Sequence, residues 1–177
     1  MTNLFPIQLQ QEHPIFGRFN ARYGDLLAEH CPPLQEFQIK VLTSDAFLRN
    51  PGELPMIDLD VNDAFACSSD KQEDAISSTK AGIIFNKAAI DRLGLTEEEQ
   101  FAAIAHEIGH IIYRFSSLKD KYPGHQGQEV FADTVACEIG LTTQIRSLVS
   151  KMMSSGLYAE AESRFGMRKL LLDSMCL

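Results

Sequence analysis

The feature that most constrains this chain is one helix that has to be buried and polar at once. Thr96-Glu97-Glu98-Glu99 reads as a capping box, with the threonine oxygen capping the helix start and Glu99 reaching back to the threonine backbone. Behind it runs Phe101-Ala102-Ala103-Ile104-Ala105, unbroken and apolar, and then His106-Glu107-Ile108-Gly109-His110. The pattern predicts a helix from Glu97 to about Phe115. Side chains four apart lie on one face of a helix, one turn above each other. His106 and His110 therefore point the same way. A core-forming helix that carries two imidazoles and a carboxylate needs a reason to bury them.

A divalent metal ion supplies that reason. Neutral imidazole suits Zn²⁺, which accepts nitrogen ligands readily. Glu107 sits beside the first histidine, where it can take a proton from an attacking water and pass it on to a leaving amine. This is the mechanical content of an HExxH spacing. The bland alternative is a pair of exposed histidines on a helix surface. Catalytic zinc takes three protein ligands and keeps one position open. A third histidine six residues beyond the second is ruled out, because Ser116 stands there.

A glutamate on the following helix is the other source of a third ligand, and Glu129 is the candidate. Asp133, one turn further on, is placed to accept from the second nitrogen of a ligating histidine, here assigned to His106. The plain readings are a helix-start acid for Glu129 and a solvated charge for Asp133. Glu138 lies off their common face. His125, expected in the loop before this helix, competes as a ligand or as a hydrogen-bond donor to an oxyanion. Tyr113, Tyr122 and Tyr158 are further candidate donors, with packing as their ordinary role.

The rest of the chain reads as α+β. Pro14 to His30 predicts an amphipathic helix with Phe16, Phe19, Tyr23, Leu26 and Leu27 on one side, stopped by Pro32-Pro33. Phe37 to Leu42 and Met56 to Val61 alternate as strands do, with Asn50-Pro51-Gly52 turning between them. Asn62 to Lys80 reads as a polar connection. Gly82 to Phe85 reads as a third strand, and Lys87 to Leu93 as a short helix capped by a left-handed Gly94. After a loop from Ser116 to Gly127 come helices over Gln128 to Ile139, with Gly140 as the stop, and near Thr143 to Ser154 and Tyr158 to Leu172. With no repeat and no linker, residues 1–177 form a single expected domain. It is a small mixed sheet of about three strands on the motif helix, with a helical C-terminal half.

The net charge of -8 speaks against phosphate backbones, and so against direct nucleic-acid binding. No apolar run reaches 18 residues, which argues against a membrane span. The start, MTNLFPIQLQ, lacks the basic and apolar regions of a signal peptide. Cysteines at 31, 67, 137 and 176 have no CxxC spacing. A reducing cytoplasm is the expected location. Cys31, Cys137 and Cys176 read as packing. Cys67, upstream of the third strand, carries a sharper expectation: a thiolate that occupies the open zinc position as a latch.

The stretches AGIIFN, TEEEQFAAIAHEIGHIIY and QEVFADTVACEIGL resemble the gluzincin metallopeptidases, most nearly the small ImmA/IrrE-like family. The resemblance covers about Ala81 to Leu141. HtpX-like membrane peptidases share the paired motifs but need transmembrane helices. The resemblance implies a zincin-like fold, one Zn²⁺ on His106, His110 and Glu129, Glu107 as general base, and Asp133 behind the ligands. It implies that Gly82 to Asn86 is an edge strand along which an extended peptide pairs. It also implies limited proteolysis of a regulatory protein, such as a helix-turn-helix repressor of a mobile element or defence operon. The competing readings are a catalytically silent zinc sensor or scaffold, and an interaction domain in which the motif is accidental. The first eighty residues match no pattern and read as a substrate-recognition part.

Overall fold

The computed structural model describes residues 2–36, 38–69, 80–115 and 120–175. Phe37, the middle of the 62–80 connection, the head of the 116–127 loop and Cys176 lie outside the described residues. Among the described residues, eight α-helices and three strands follow one another as α1 (Ile7–Glu12), α2 (Pro14–His30), β1 (Lys40–Thr43), α3 (Ser44–Arg49), β2 (Phe65–Ser69), β3 (Ala81–Phe85), α4 (Lys87–Leu93), α5 (Glu97–Phe115), α6 (Gly124–Glu138), α7 (Thr142–Ser154) and α8 (Ala161–Ser174). The architecture is α+β, with most of the helix in the C-terminal half. Among the described residues no helix is long and apolar enough to cross a membrane.

The sheet has the order β1-β3-β2. β1 runs parallel to β3, with Val41 opposite Ile83, and β2 runs antiparallel to it, with Cys67 opposite Ile83. β3 is therefore the central strand, not the edge that was expected. The reason is in its residues: Ala81, Gly82, Ile83 and Ile84 are all buried, as in a strand covered on both faces. Ile83 joins the main core and Ile84 joins a smaller cluster with Phe47 and Leu54 on the opposite face.

The second correction concerns β2. The alternating stretch Met56 to Val61 is not a strand, and the strand lies in the supposed polar connection at Phe65–Ser69. Met56 and Val61 are exposed, while Ile57 and Leu59 rest on the Phe47–Leu54–Ile84 cluster. That alternation records an extended segment lying over a patch of core without backbone pairing. β2 itself has one large apolar residue, the buried Phe65, followed by Ala66, Cys67 and two serines, and Ser68 is buried with its hydroxyl donating to the carbonyl of Pro55.

Several local readings hold. The α2 limits match, and Phe16, Phe19 and Tyr23 are buried with Phe5 and Phe101 in an edge-to-face aromatic cluster, although Leu26 is exposed. Gly94 caps α4 in the left-handed region at φ 59°. The capping box forms in both directions: Thr96 N donates to Glu99 Oε2 at 2.8 Å and Glu99 N to Thr96 Oγ1 at 3.3 Å. Glu99 is also buried under α7, where Ser147 and Lys151 each donate to it at 2.7 Å. The cap thus couples the start of α5 to a second helix. The residues before β3 are part of this same core, since its buried cluster runs from Leu4 to Leu172.

Thr96→Ala should cost about 1 kcal/mol, the usual worth of an N-cap. Glu99→Ala should cost about 2–3 kcal/mol, because it also strips Ser147 and the partly buried Lys151 of their shared acceptor. Urea unfolding of the two variants checks the order.

Candidate metal centre

The α5–α6 crossing sets the site. A Cβ on Gly109 would lie 2.6 Å from Ala132 Cα and 3.0 Å from its carbonyl oxygen, so the two backbones meet where only glycine fits. Ala132 lies between Glu129 and Asp133 on α6. The close approach brings both carboxylates to the histidines of α5.

His106 Nδ1 lies 2.8 Å from Asp133 Oδ1 in a buried contact. With Nδ1–H donating there, the lone pair sits on Nε2, which faces the cluster. His106 Nε2 is 3.2 Å from His110 Nε2 and 3.4 Å from Glu129 Oε2. His110 Nε2 is 3.2 Å from Glu129 Oε1. Among the described residues, His106, His110 and Glu129 form the group of metal-ligating types whose donor atoms all lie within 4.8 Å of one another. The donors of tetrahedral zinc, with bonds of about 2.0–2.1 Å, stand about 3.3 Å apart. The 3.2 Å between the two histidine nitrogens and the 3.2 Å from His110 Nε2 to Glu129 Oε1 fit that spacing, while His106 makes its 3.4 Å approach to the other oxygen of Glu129, and one atom from each residue lies within 4.8 Å of the other two. The donor set is one that suits zinc.

One residue here went unnoticed in the sequence. Arg168, on α8 and 6% exposed, donates through Nε to Asp133 Oδ2 at 2.8 Å and through Nη2 to Asp133 Oδ1 at 2.7 Å. Its Nη1 donates to Glu129 Oε2 at 3.0 Å. Nη2 also comes within 3.4 Å of His106 Nδ1, where two donors converge on one oxygen of Asp133. The available signal was register: Phe165, Arg168 and Leu172 fall on one buried face of α8, and an arginine in that company needs buried partners.

Electrostatics follow from this packing. Three carboxylates, Glu107, Glu129 and Asp133, face one guanidinium, which leaves two negative charges for a dication to balance. Burial pushes Glu129 up, but hydrogen bonds from both histidines and the Arg168 charge outweigh it and hold the carboxyl far below its usual range. Asp133 is likewise lowered, with Arg168 and His106 overcoming burial. Burial and Arg168 push His106 down, and Asp133 and Glu129 more than reverse this, lifting it to about 9. Burial raises Glu107, against the pull of His106 and His110.

The remaining expected residues separate. Glu138 is exposed, away from the site. His125 lies inside α6 and not in the loop before it, 83% exposed, with Nε2 3.9 Å from Glu129 Oε1. Tyr113 donates to the Tyr122 carbonyl at 2.8 Å and Tyr158 to the Asn62 carbonyl at 2.7 Å, so both hydroxyls are engaged elsewhere. Cys67 packs against the core from β2 and does not belong to the donor group. Burial, aided by the charge of Glu107, raises its thiol well above the usual value. Cys31 is buried and Cys137 partly buried, each against the core.

Gly109→Ala should separate α5 from α6, cost about 1–3 kcal/mol as other overpacked sites do, and weaken metal uptake; thermal melts and zinc titration read the two effects. A second expectation concerns Asp63, which Arg164 Nη2 grips at 3.0 and 3.2 Å. Burial outweighs Arg164 and lifts Asp63 from 3.8 to about 6. The folded state then binds this proton more tightly than the unfolded chain, so the contribution of Asp63 to stability falls as pH rises through that window. Relative to Asp63→Asn, the wild type should lose up to about 3 kcal/mol between about pH 3 and pH 7, measured by denaturant unfolding at each pH.

Comparison with protein-family models, with curated proteins and with solved structures finds no match to this chain. The geometry of the site therefore carries the functional case.

Proposed function

We propose that this chain is a zinc-dependent metallopeptidase of zincin-like build, resembling the ImmA/IrrE-like family, that performs limited proteolysis of a regulatory protein. The observation that carries the reading is the convergence of His106, His110 and Glu129 within 4.8 Å, with Glu107 buried on the same helix. His106, His110 and Glu129 would hold the ion, and Asp133 would orient His106. The bound ion would supply Lewis acidity toward a carbonyl and a lowered pKa for water.

The chain's own residues do the rest. Burial raises Glu107, which makes its carboxylate a better proton acceptor than an exposed glutamate. It takes the proton of the attacking water and delivers it to the leaving amine. His125, exposed beside Glu129, is a donor available to a developing oxyanion, whereas the hydroxyls of Tyr113 and Tyr158 are committed to backbone carbonyls. An extended peptide would pair with an open sheet edge. β2 supplies it: this strand packs on α5, and among the described residues no strand pairs with its outer side. The intended target is a protein such as a helix-turn-helix repressor, met in the cytoplasm without nucleic acid or membrane. A silent zinc sensor would have the ligands but no use for Glu107, since structural zinc closes its fourth position.

Purified protein should hold close to one equivalent of zinc and cleave a target protein at a defined bond. Glu107→Gln should keep the zinc and lose cleavage by a factor of roughly 10² or more. Equal cleavage by both proteins removes Glu107 from the mechanism, and a wild type without zinc ends the reading.

A further inference from the structure

Arg168 is a buried cation placed against both carboxylates of a site that is built to hold another cation. Its position is costly on two counts. The guanidinium must give up its water, and it must repel a bound dication. Such a group has to be justified by what its contacts fix. Nε and Nη2 make a two-point grip on Asp133, the residue that sets the ring of His106. Nη1 holds Oε2 of Glu129, which leaves Oε1 turned to His110. A single side chain thus restrains the orienting residue of one ligand and the carboxylate of another.

We propose that Arg168 is a positioning residue of the metal centre, presenting Glu129 and, through Asp133, His106 in ligating geometry, so that α8 is part of the site. The inference rests on the metal reading above. The planar fork matters here, because a lysine ammonium keeps the charge but cannot span three carboxylate oxygens. The same helix carries a built-in control. Arg164, one turn earlier, makes its own ion pairs with Asp60 Oδ2 at 3.1 Å and Asp63 at 3.0 Å, and touches neither carboxylate of the metal site. Loosening α8 through Arg164 and loosening the carboxylates through Arg168 are separable perturbations.

The test is zinc affinity by chelator competition on the full chain, with the visible spectrum of the Co²⁺-loaded protein as a report on ligand geometry. Arg168→Gln and Arg168→Lys should each bind zinc roughly 10–100-fold more weakly, with an altered Co²⁺ spectrum and a far-ultraviolet circular dichroism spectrum like the wild type. Arg164→Gln should keep wild-type affinity and spectrum. Arg168→Lys decides the matter if Arg168→Gln does not fold. Zinc binding as tight as wild type or tighter in a folded Arg168 variant overturns the proposal and leaves the metal reading standing, since relief of repulsion would then outweigh positioning. An equal loss in Arg164→Gln also overturns it, by assigning the effect to the docking of α8 as a whole. A wild type that takes up no zinc sinks both readings together.

Discussion

Gly109 lets the backbone of α5 rest against Ala132 of α6, and everything polar in the centre of this protein depends on that approach. Helix axes usually pack 8–10 Å apart with side chains between them. Here a bare Cα faces a bare turn, and short carboxylate side chains on α6 reach the imidazoles of α5. Asp133 meets His106 and Glu129 spans His106 and His110. With any larger residue at 109 the same side chains would be present but out of reach.

The close crossing creates an electrostatic problem. It gathers three carboxylates in a region where few water molecules can screen them. Arg168 answers part of the imbalance from a third helix, and Asp133 and Glu129 raise the proton affinity of His106 between them. A site whose folded geometry leaves charge of one sign over is poised for an ion of the other sign. Packing and metal affinity are in this sense one property, because the contacts that bury the carboxylates also make a dication welcome.

The N-terminal half is the wall that keeps α5 buried. The aromatic cluster of Phe5, Phe16, Phe19, Tyr23 and Phe101 seals its first turns, and β2 packs along it. Surface pairs such as Arg18–Glu97 and Arg22–Glu98 lie on the outside of this contact, where exposed ion pairs contribute little. β3 is central, between the edge strands β1 and β2, and its Ile83 and Ile84 have partners on opposite faces of the sheet.

Local chemistry was legible in the residues alone. The capping box, the left-handed stop at Gly94, the limits of α2 and α5, and the facing of His106 and His110 each depend on neighbours within one or two helical turns. Glu129 and Asp133 were legible as a pair because they are four apart on one helix. Sequence could not tell that Arg168 joins them, since its partners lie 35 and 39 residues away. Nor could it reveal β2, whose five residues Phe65 to Ser69 carry no apolar–polar alternation, or demote Met56 to Val61, whose alternation is genuine but unpaired. Strand pairing and buried ion pairs are contacts between distant segments, and only the folded chain decides which segments meet.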